Sequence, residues 1–301
     1  NVLKRAFGFL IICTLVFLWP QAILAEDNSV LSIAESLEIV DFEVDSPHAD
    51  NDLVVSVHDF GASPDARDNY HAFQRAINHA IENRAAEIKV PKGVYRFATP
   101  QTLRIAKAKD LVIDGEGSEL IFSQLCHFIE IVGCERLVFK NFCIDWDWEK
   151  EPLASVGKVV DVNNGRLYFD MEFLGMEKVN PAWKFQVWNA MDPDTLTPGT
   201  EGGKEFWPQF DRIEQITPNT LRFHPMNIAS HLSSIGEVYR IRHRVYDAHA
   251  VLIGDTNHLT LDNIIIYSAP GHGYWVHGDT HHLEIVNSTI TLRPRSSRRI
   301  T

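Results

Sequence analysis

The sequence is poor in cysteine, with four in 301 residues, at positions 13, 126, 134 and 143. Three remain once a leader is set aside, and so low and odd a number cannot frame a fold with disulfides. Cys126, Cys134 and Cys143 are expected instead as small apolar core residues. Positive charge is also short. Lys and Arg total 28 against 40 Asp and Glu, a net charge of −12, and an acidic surface repels nucleic acid and anionic membranes. Long apolar runs are missing after Trp19, and the one before it, Phe7–Trp19, falls short of the roughly 20 residues a membrane helix needs. No trio of Asp, Glu and His has a spacing distinctive enough to argue for a metal, so neither metal nor cofactor is expected.

What stands at the start reads as a targeting segment. Lys4 and Arg5 precede the apolar run, and Ala22-Ile-Leu-Ala25 offers a cleavage point, the layout of a secretory signal peptide over residues 1–25. The expected location is secreted or periplasmic, with no membrane span after cleavage; an uncleaved N-terminal anchor is the alternative. Residues 26–52 are acidic and are expected as a leader or an irregular first strand. With no initiator Met and no closing element at Thr301, the chain is expected to be a piece of a longer protein. Nothing in it speaks to oligomeric state.

From residue 53 the patterning becomes dense. Val54–Ala62 alternates like a strand and ends in a Gly turn. Asp68 suits a helix N-cap, and Ala72, Phe73, Ala76, Ile77, Ala80 and Ile81 form one apolar stripe after it. Ile88–Tyr95 then reads as strand, tight turn and strand. Further on the sequence repeats. Residues 254–277, GDTNHLTLDNIIIYSAPGHGYWVH, align with 278–301, GDTHHLEIVNSTITLRPRSSRRIT, at a period of 24 residues. Gly254, Asp255, Thr256, His258, Leu259, Asn263 and Pro270 each meet an identical residue. The same Leu-x-apolar-x-Asn pattern occurs at Leu137–Asn141, and a degenerate copy at Leu111–Gly115.

A period of this length with short alternating strands predicts one solenoid coil per repeat, the Leu and the apolar residue two places on pointing inward. The Asn closing each strand is expected to bond its neighbour one coil away, amide to amide, in a left-handed backbone that Asn tolerates. A leucine-rich repeat would require further Leu positions ahead of the Asn. The fold class read from this is all-β: a right-handed parallel β-helix over 53–144 and 247–301, with an N-terminal helix whose stripe Phe73, Ile77, Ile81 caps the open end. Residues 145–246 interrupt the coils. They contain strand-like segments, the hairpin signal Asn164-Gly165 and five of the seven Trp, and are expected as an inserted β-barrel-like subdomain.

Val57-His-Asp-Phe-Gly-Ala62, the Ala72-Phe73 helix and Val90-Pro-Lys-Gly-Val-Tyr95 resemble the N-terminal cap of the pectate-lyase superfamily, which spans glycosidases, polysaccharide lyases and phage tailspikes. Phe142-Cys-Ile-Asp145-Trp-Asp147 with Gly157-Lys-Val resembles the start of the barrel insertion in glycoside hydrolase family 110, the α-1,3-galactosidases. Arg242-His-Arg244, Tyr267-Ser-Ala-Pro-Gly-His-Gly273 and Arg293-Pro-Arg295 resemble the same family. The resemblance implies a metal-independent inverting glycosidase acting on a glycan substrate, with an acidic motif expected past Thr301. Gly271-His-Gly273 is also similar to a polygalacturonase tripeptide, but the Asn-Thr-Asp and Asp-Asp motifs that accompany it there do not occur upstream.

Glycoside hydrolysis uses two carboxyl groups, set roughly 6.5–9.5 Å apart in inverting enzymes. Asp255 and Asp279, expected as equivalent positions on successive coils, are one candidate pair; the alternative is that each bonds its own turn. Asp145 and Asp147 flank Trp146 where the chain leaves the coils, and an aromatic with two carboxylates at a domain junction suits a sugar site; the alternative is a solvated strand exit. His272, Tyr274, Trp275 and His277 crowd one turn and strand, where aromatic faces can stack on a sugar ring or where Trp275 could instead be core. His258, His281 and His282 read as a stacked turn ladder. Arg293 and Arg295, with Arg298 and Arg299, could bind carboxylate, sulfate or hydroxyl groups, or pair with the acidic surface. With the family resemblance, the leading expectation is an exo-acting glycoside hydrolase of the α-galactosidase type on terminal galactose of glycans, the insertion walling the substrate pocket. A polysaccharide lyase or polygalacturonase-like enzyme on acidic polysaccharide, and a non-catalytic glycan-binding surface protein, are the alternatives.

Overall fold

The computed structural model of the chain describes residues 42–163, 165, 167–197, 205–226, 234–291 and 293. The signal-peptide expectation over 1–25 and residues 26–41 of the acidic leader lie outside these residues. No helix among the described residues is long and apolar enough to cross a membrane.

The protein is mostly β. Strand β1 (Val54–Ser56) passes into a 3-10 turn at Val57–Phe60 and then α1 (Tyr70–Glu82). Six strands follow: β2 (Glu87–Lys89), β3 (Val94–Phe97), β4 (Leu103–Ala106), β5 (Lys109–Phe122), β6 (Ile129–Val132) and β7 (Glu135–Trp146). Seven more form the middle of the chain: β8 (Ala154–Val162), β9 (Phe169–Phe173), β10 (Val187–Met191), β11 (Glu205–Phe206), β12 (Phe210–Thr217), β13 (Thr220–Pro225) and β14 (Val238–Arg242). The last are β15 (Val251–Gly254), β16 (Asn257–Ile266), β17 (Tyr274–His277), β18 (His281–Val286) and β19 (Thr289–Ile290).

Two local expectations shift. The strand expected over Val54–Ala62 stops at Ser56, whose hydroxyl accepts the His58 N–H, and Gly61 closes the 3-10 turn at φ 91°. Asp68 is not the helix N-cap; Asn69 occupies that place, and Asp68 Oδ1 instead accepts the N–H groups of Tyr70 (3.1 Å) and Ala98 (3.2 Å).

Two sheets are wholly parallel. One runs β1-β2-β5-β7-β16-β18, with β3 and β19 at its side; the other runs β4-β6-β15-β17. Their registers place like on like. Leu111, Leu137, Leu259 and Leu283 stand in one row of the first sheet, and Ile105, Ile131, Ile253 and Val276 in one row of the second. The inward residues of both sheets share one core. Within it four rings form a column: Phe97 on Phe122 (4.6 Å), Phe122 on Phe128 (4.3 Å) and Phe128 near Trp146 (6.2 Å), with interplanar angles of 13°, 1° and 14°. Helix α1 buries Phe73 and Ile77 against the same core, the Phe73 ring meeting Tyr95 and Phe97 edge-on.

Side-chain columns also line the turns. Asn141, Asn263 and Asn287 all take left-handed backbone, at φ 63°, 54° and 52°. Asn263 Nδ2 donates to Asn141 Oδ1 at 2.9 Å, the amide-to-amide bond expected of the repeat. Its neighbours depart from that pattern: Asn141 donates to Asp114 (2.8 Å) and Asn287 to Asp262 (2.8 Å). His258 and His282 stack at 4.4 Å. Of the cysteines, Cys134 is buried in the core while Cys126 and Cys143 are only partly covered, and all three are free thiols. Cys143 misses the core because its strand alternation points it to the outer face.

The middle strands form one antiparallel sheet in the order β11-β10-β14-β8-β9-β13-β12. It has its own core of Phe169, Met171, Phe173, Trp188, Phe223, Tyr239 and their neighbours. Strands β8 and β9 pair across residues 163–168, although Asn164 of the expected Asn-Gly turn lies outside the described residues. The insertion leaves and returns at one point. His243 N–H donates to the Leu153 carbonyl at 2.8 Å, and β7 and β16 pair directly across the gap it fills.

Candidate functional site

Where the antiparallel sheet meets the parallel strands lies a pocket of about 290 Å³. Strand β14 supplies one wall. Its sequence Val238-Tyr-Arg-Ile-Arg242 alternates, so Tyr239 and Ile241 enter the sheet's own core while Arg240 and Arg242 face the pocket. Arg244 follows from the return stem. The turn after β16, Tyr267–Gly271, also lines it, with Trp148 and Tyr246. Gly271 allows the approach: a Cβ there would sit 2.3 Å from the Ala248 carbonyl oxygen.

Behind the Tyr267–Ser268 wall is a buried charge cluster. Asp145, 1% exposed, accepts the Trp146 N–H at 2.9 Å and the Ser268 hydroxyl on Oδ1, and Arg293 Nε at 2.7 Å on Oδ2. Ser268 in turn accepts Trp148 Nε1–H at 2.9 Å. Arg293 also pairs with Glu119, and its guanidinium lies over the Tyr267 ring at 4.6 Å. The aromatic wall of the pocket is therefore fixed from behind by Asp145 and Arg293.

Among the residues singled out in the sequence, Asp145 and Arg293 come together, 148 positions apart. Asp147 does not join them. It turns towards Arg96, 3.9 Å away. Trp146 is 2% exposed, its ring in the core column and its Nε1–H on the Glu151 carbonyl at 2.6 Å, so it offers no face to a sugar. Strand alternation accounts for this: the side chain that follows an outward Asp145 points inward.

The pairing expected for Asp255 and Asp279 fails by one residue. Gly254 stands opposite His277 in β15–β17, whereas Asn257 stands opposite His281 in β16–β18. The chain slips one register between the sheets, and the space Asp279 would have filled is held by Gly278, whose Cβ would come 2.2 Å from Asp255 Oδ1. Asp255, at φ 48°, accepts the Asp279 N–H at 2.9 Å. Both residues serve the turn.

His272 and Trp275 gather with three residues the sequence did not single out, His249, His127 and Tyr246. His249 stacks on Trp275 at 5.0 Å and on His127 at 4.9 Å, and His272 stacks on Tyr246 at 5.0 Å. Burial, with the neighbouring His127 and His272, pushes His249 down to about 4, and burial lowers His127 and His272 too. Of this cluster, Tyr246 also lines the pocket. Tyr274 packs its ring against the core, where burial raises its phenol to about 12. His277 is exposed and lies over Gly254. Arg295, Arg298 and Arg299 lie outside the described residues. No group of three or more His, Cys, Asp and Glu able to hold a metal occurs among the described residues.

Arg240 and Glu119 carry the site yet were not singled out, and Arg242, Arg244, Tyr267 and Ser268 appeared only within motif resemblances. One signal was available for the arginines. In Val238–Arg242 the polar face of an alternating strand is purely cationic, within a chain of net charge −12.

No family model matches the chain. Three curated relatives do. Alpha-1,3-galactosidase B of Bacteroides thetaiotaomicron is 28% identical over 255 residues, 73% of this chain and 41% of the relative. Alpha-1,3-galactosidase A of Shewanella woodyi is 25% identical over 155 residues, covering 45% and 24%. Alpha-1,3-galactosidase B of Parabacteroides distasonis is 30% identical over 138 residues, covering 37% and 22%. The chain thus spans less than half the length of each of these relatives.

Proposed function

We propose that the protein is a glycoside hydrolase that removes terminal α-linked galactose from glycans outside the cytoplasm. In this reading the parallel sheets are coils of a right-handed β-helix of the pectate-lyase type, and the antiparallel sheet is a barrel-like insertion that walls the substrate pocket. Two parallel sheets sharing one core, with Leu over Leu and Asn over Asn, support the coil reading because stacked repeats generate such rows. The observation that carries the function is the junction pocket: aromatic faces of Trp148, Tyr246 and Tyr267 beside guanidinium donors, in a chain whose relatives share one activity name. Sugars are bound by such a combination, the ring on an aromatic face and the hydroxyls on fixed polar groups.

The described lining of the pocket contains no Asp or Glu. The acid and base that hydrolysis requires therefore come from elsewhere in this reading. Asp145 has both oxygens engaged and acts as a positioning group for Arg293 and Ser268. Incubating the full-length protein with a panel of α-1,3-, α-1,4- and α-1,6-linked galactosides should release free galactose from at least one. Absence of galactose release from every member would sink the reading.

A further inference from the structure

The three pocket arginines differ in how their charge is met. Arg244 is balanced, with Glu151 at 2.6 Å and Asp247 at 3.5 Å. Arg240 donates to a neutral acceptor, Asn189 Oδ1, at 2.9 Å, and that amide in turn binds Glu205 at 2.5 Å. The Arg242 guanidinium has no hydrogen bond or ion pair with any described residue, and the Nε atoms of Arg240, Arg242 and Arg244 are all buried without a partner. Burial and the adjacent Arg242 charge, outweighing Glu205, push the Arg240 guanidinium below its ordinary pKa. Neighbouring cations with idle buried donors are costly; Glu151 and Asp247 meet Arg244 and Glu205 acts on Arg240, but no carboxylate among the described residues pairs with Arg242, and the described pocket lining holds none. A ligand bearing negative charge would offset them, because a guanidinium fork pairs in two places with a carboxylate or sulfate.

We propose that the junction pocket takes a sugar residue bearing a carboxylate or a sulfate ester, with the anionic group seated against Arg242 and Arg240. This rests on the glycoside reading above and narrows its substrate class to acidic glycans. The flat faces of Trp148 and Tyr267 supply the stacking surface for the ring.

The test compares galactose, galacturonate and galactose 6-sulfate for binding to the full chain by calorimetry, with inorganic sulfate as the bare-anion probe followed at the Arg242 Nε–H resonance. At low salt the acidic sugars should bind about tenfold or more tightly than galactose, as a charge-assisted pair requires. The difference should shrink as salt is raised. Sulfate should move the Arg242 resonance. Arg242→Gln should erase the preference, Arg242→Lys should keep part of it, and Arg104→Gln, on a surface pair with Glu130, should leave it intact. Should Arg242→Gln fail to fold, the salt dependence and the resonance shift of the unaltered protein decide. Galactose binding as tightly as its acidic analogues overturns the inference, while galactose release in the panel assay would leave the glycosidase reading standing. Binding and turnover of no sugar at all would remove both.

Discussion

His243 sits between two arginines in sequence and cannot share their charge. It is 1% exposed, its Nδ1–H donates to the Lys184 carbonyl at 2.7 Å, and its Nε2 has no described partner. Burial, outweighing the Lys184 bond and helped by Arg244, pushes its pKa down to about 4. The unfolded chain binds the proton near pH 6.5, so between that pH and about 4 the unfolded state holds more protons and stability falls as pH falls. Above pH 6.5 neither state is charged and the residue contributes no slope. The expected loss is on the order of 3 kcal/mol by pH 4, seen as a falling urea midpoint, and His243→Gln should flatten that part of the profile. Asp145 makes the opposite case, a buried charge that is paired. Asp145→Asn should destabilise the protein by about 2 kcal/mol, below the usual cost of breaking a buried pair because Glu119 still faces Arg293. Asp145→Asn combined with Arg293→Met should recover part of that loss in a double-mutant cycle. If Asp145→Asn instead left stability unchanged and abolished turnover, a direct chemical role would replace the positioning role.

At the scale of the strand, stability depends on being covered from both sides. Leu259 is fully buried between Leu137 and Leu283, whereas Leu283 is only partly buried and Ile285 beside it is 42% exposed, with no described strand beyond them. Leu259→Ala should therefore cost about 2–5 kcal/mol by opening a cavity. Leu283→Ala should cost well under half of that, and equal losses in denaturant melts would contradict the stacking. Part of these rows was legible in the sequence: Leu259 over Leu283 follows from the 24-residue period, and Asn141 bonded to Asn263 from the Leu-x-apolar-x-Asn pattern that recurs on both sides of the interruption. The pairing of Asp255 with Asp279 was not legible, because the one-residue slip between the two sheets leaves the sequence repeat unbroken. Trp146 was misplaced for a related reason: the alternation of β7 persists to the strand's last residue, so a side chain at the junction still belongs to the core. The pocket arginines were hidden in turn, since their strand neighbours come from β8 and β10, distant in sequence, and no periodicity marks antiparallel partners.

At the scale of the molecule, residues 43–301 form one compact unit, yet the hydrophobic clusters of the parallel and antiparallel sheets have no residue in common. The two stems of the insertion meet at the Leu153–His243 hydrogen bond of 2.8 Å, and β7 and β16 are already paired without its help. A short turn joining Leu153 to His243 in place of residues 154–242 should therefore leave the parallel core able to fold cooperatively. It would lose only contacts made at the seam. That same deletion removes Arg240 and Arg242 together with the strand that holds them, while Trp148 and Tyr267 remain. If the pocket binds its ligand by charge and stacking together, the shortened protein should melt in one transition but bind acidic sugars at least about a hundredfold more weakly, since two charge-assisted contacts are gone. Calorimetry and a thermal melt on the same sample separate the outcomes. Retained acidic-sugar affinity in a folded deletion variant would place the binding surface on the parallel strands alone and reduce the insertion to a structural cover.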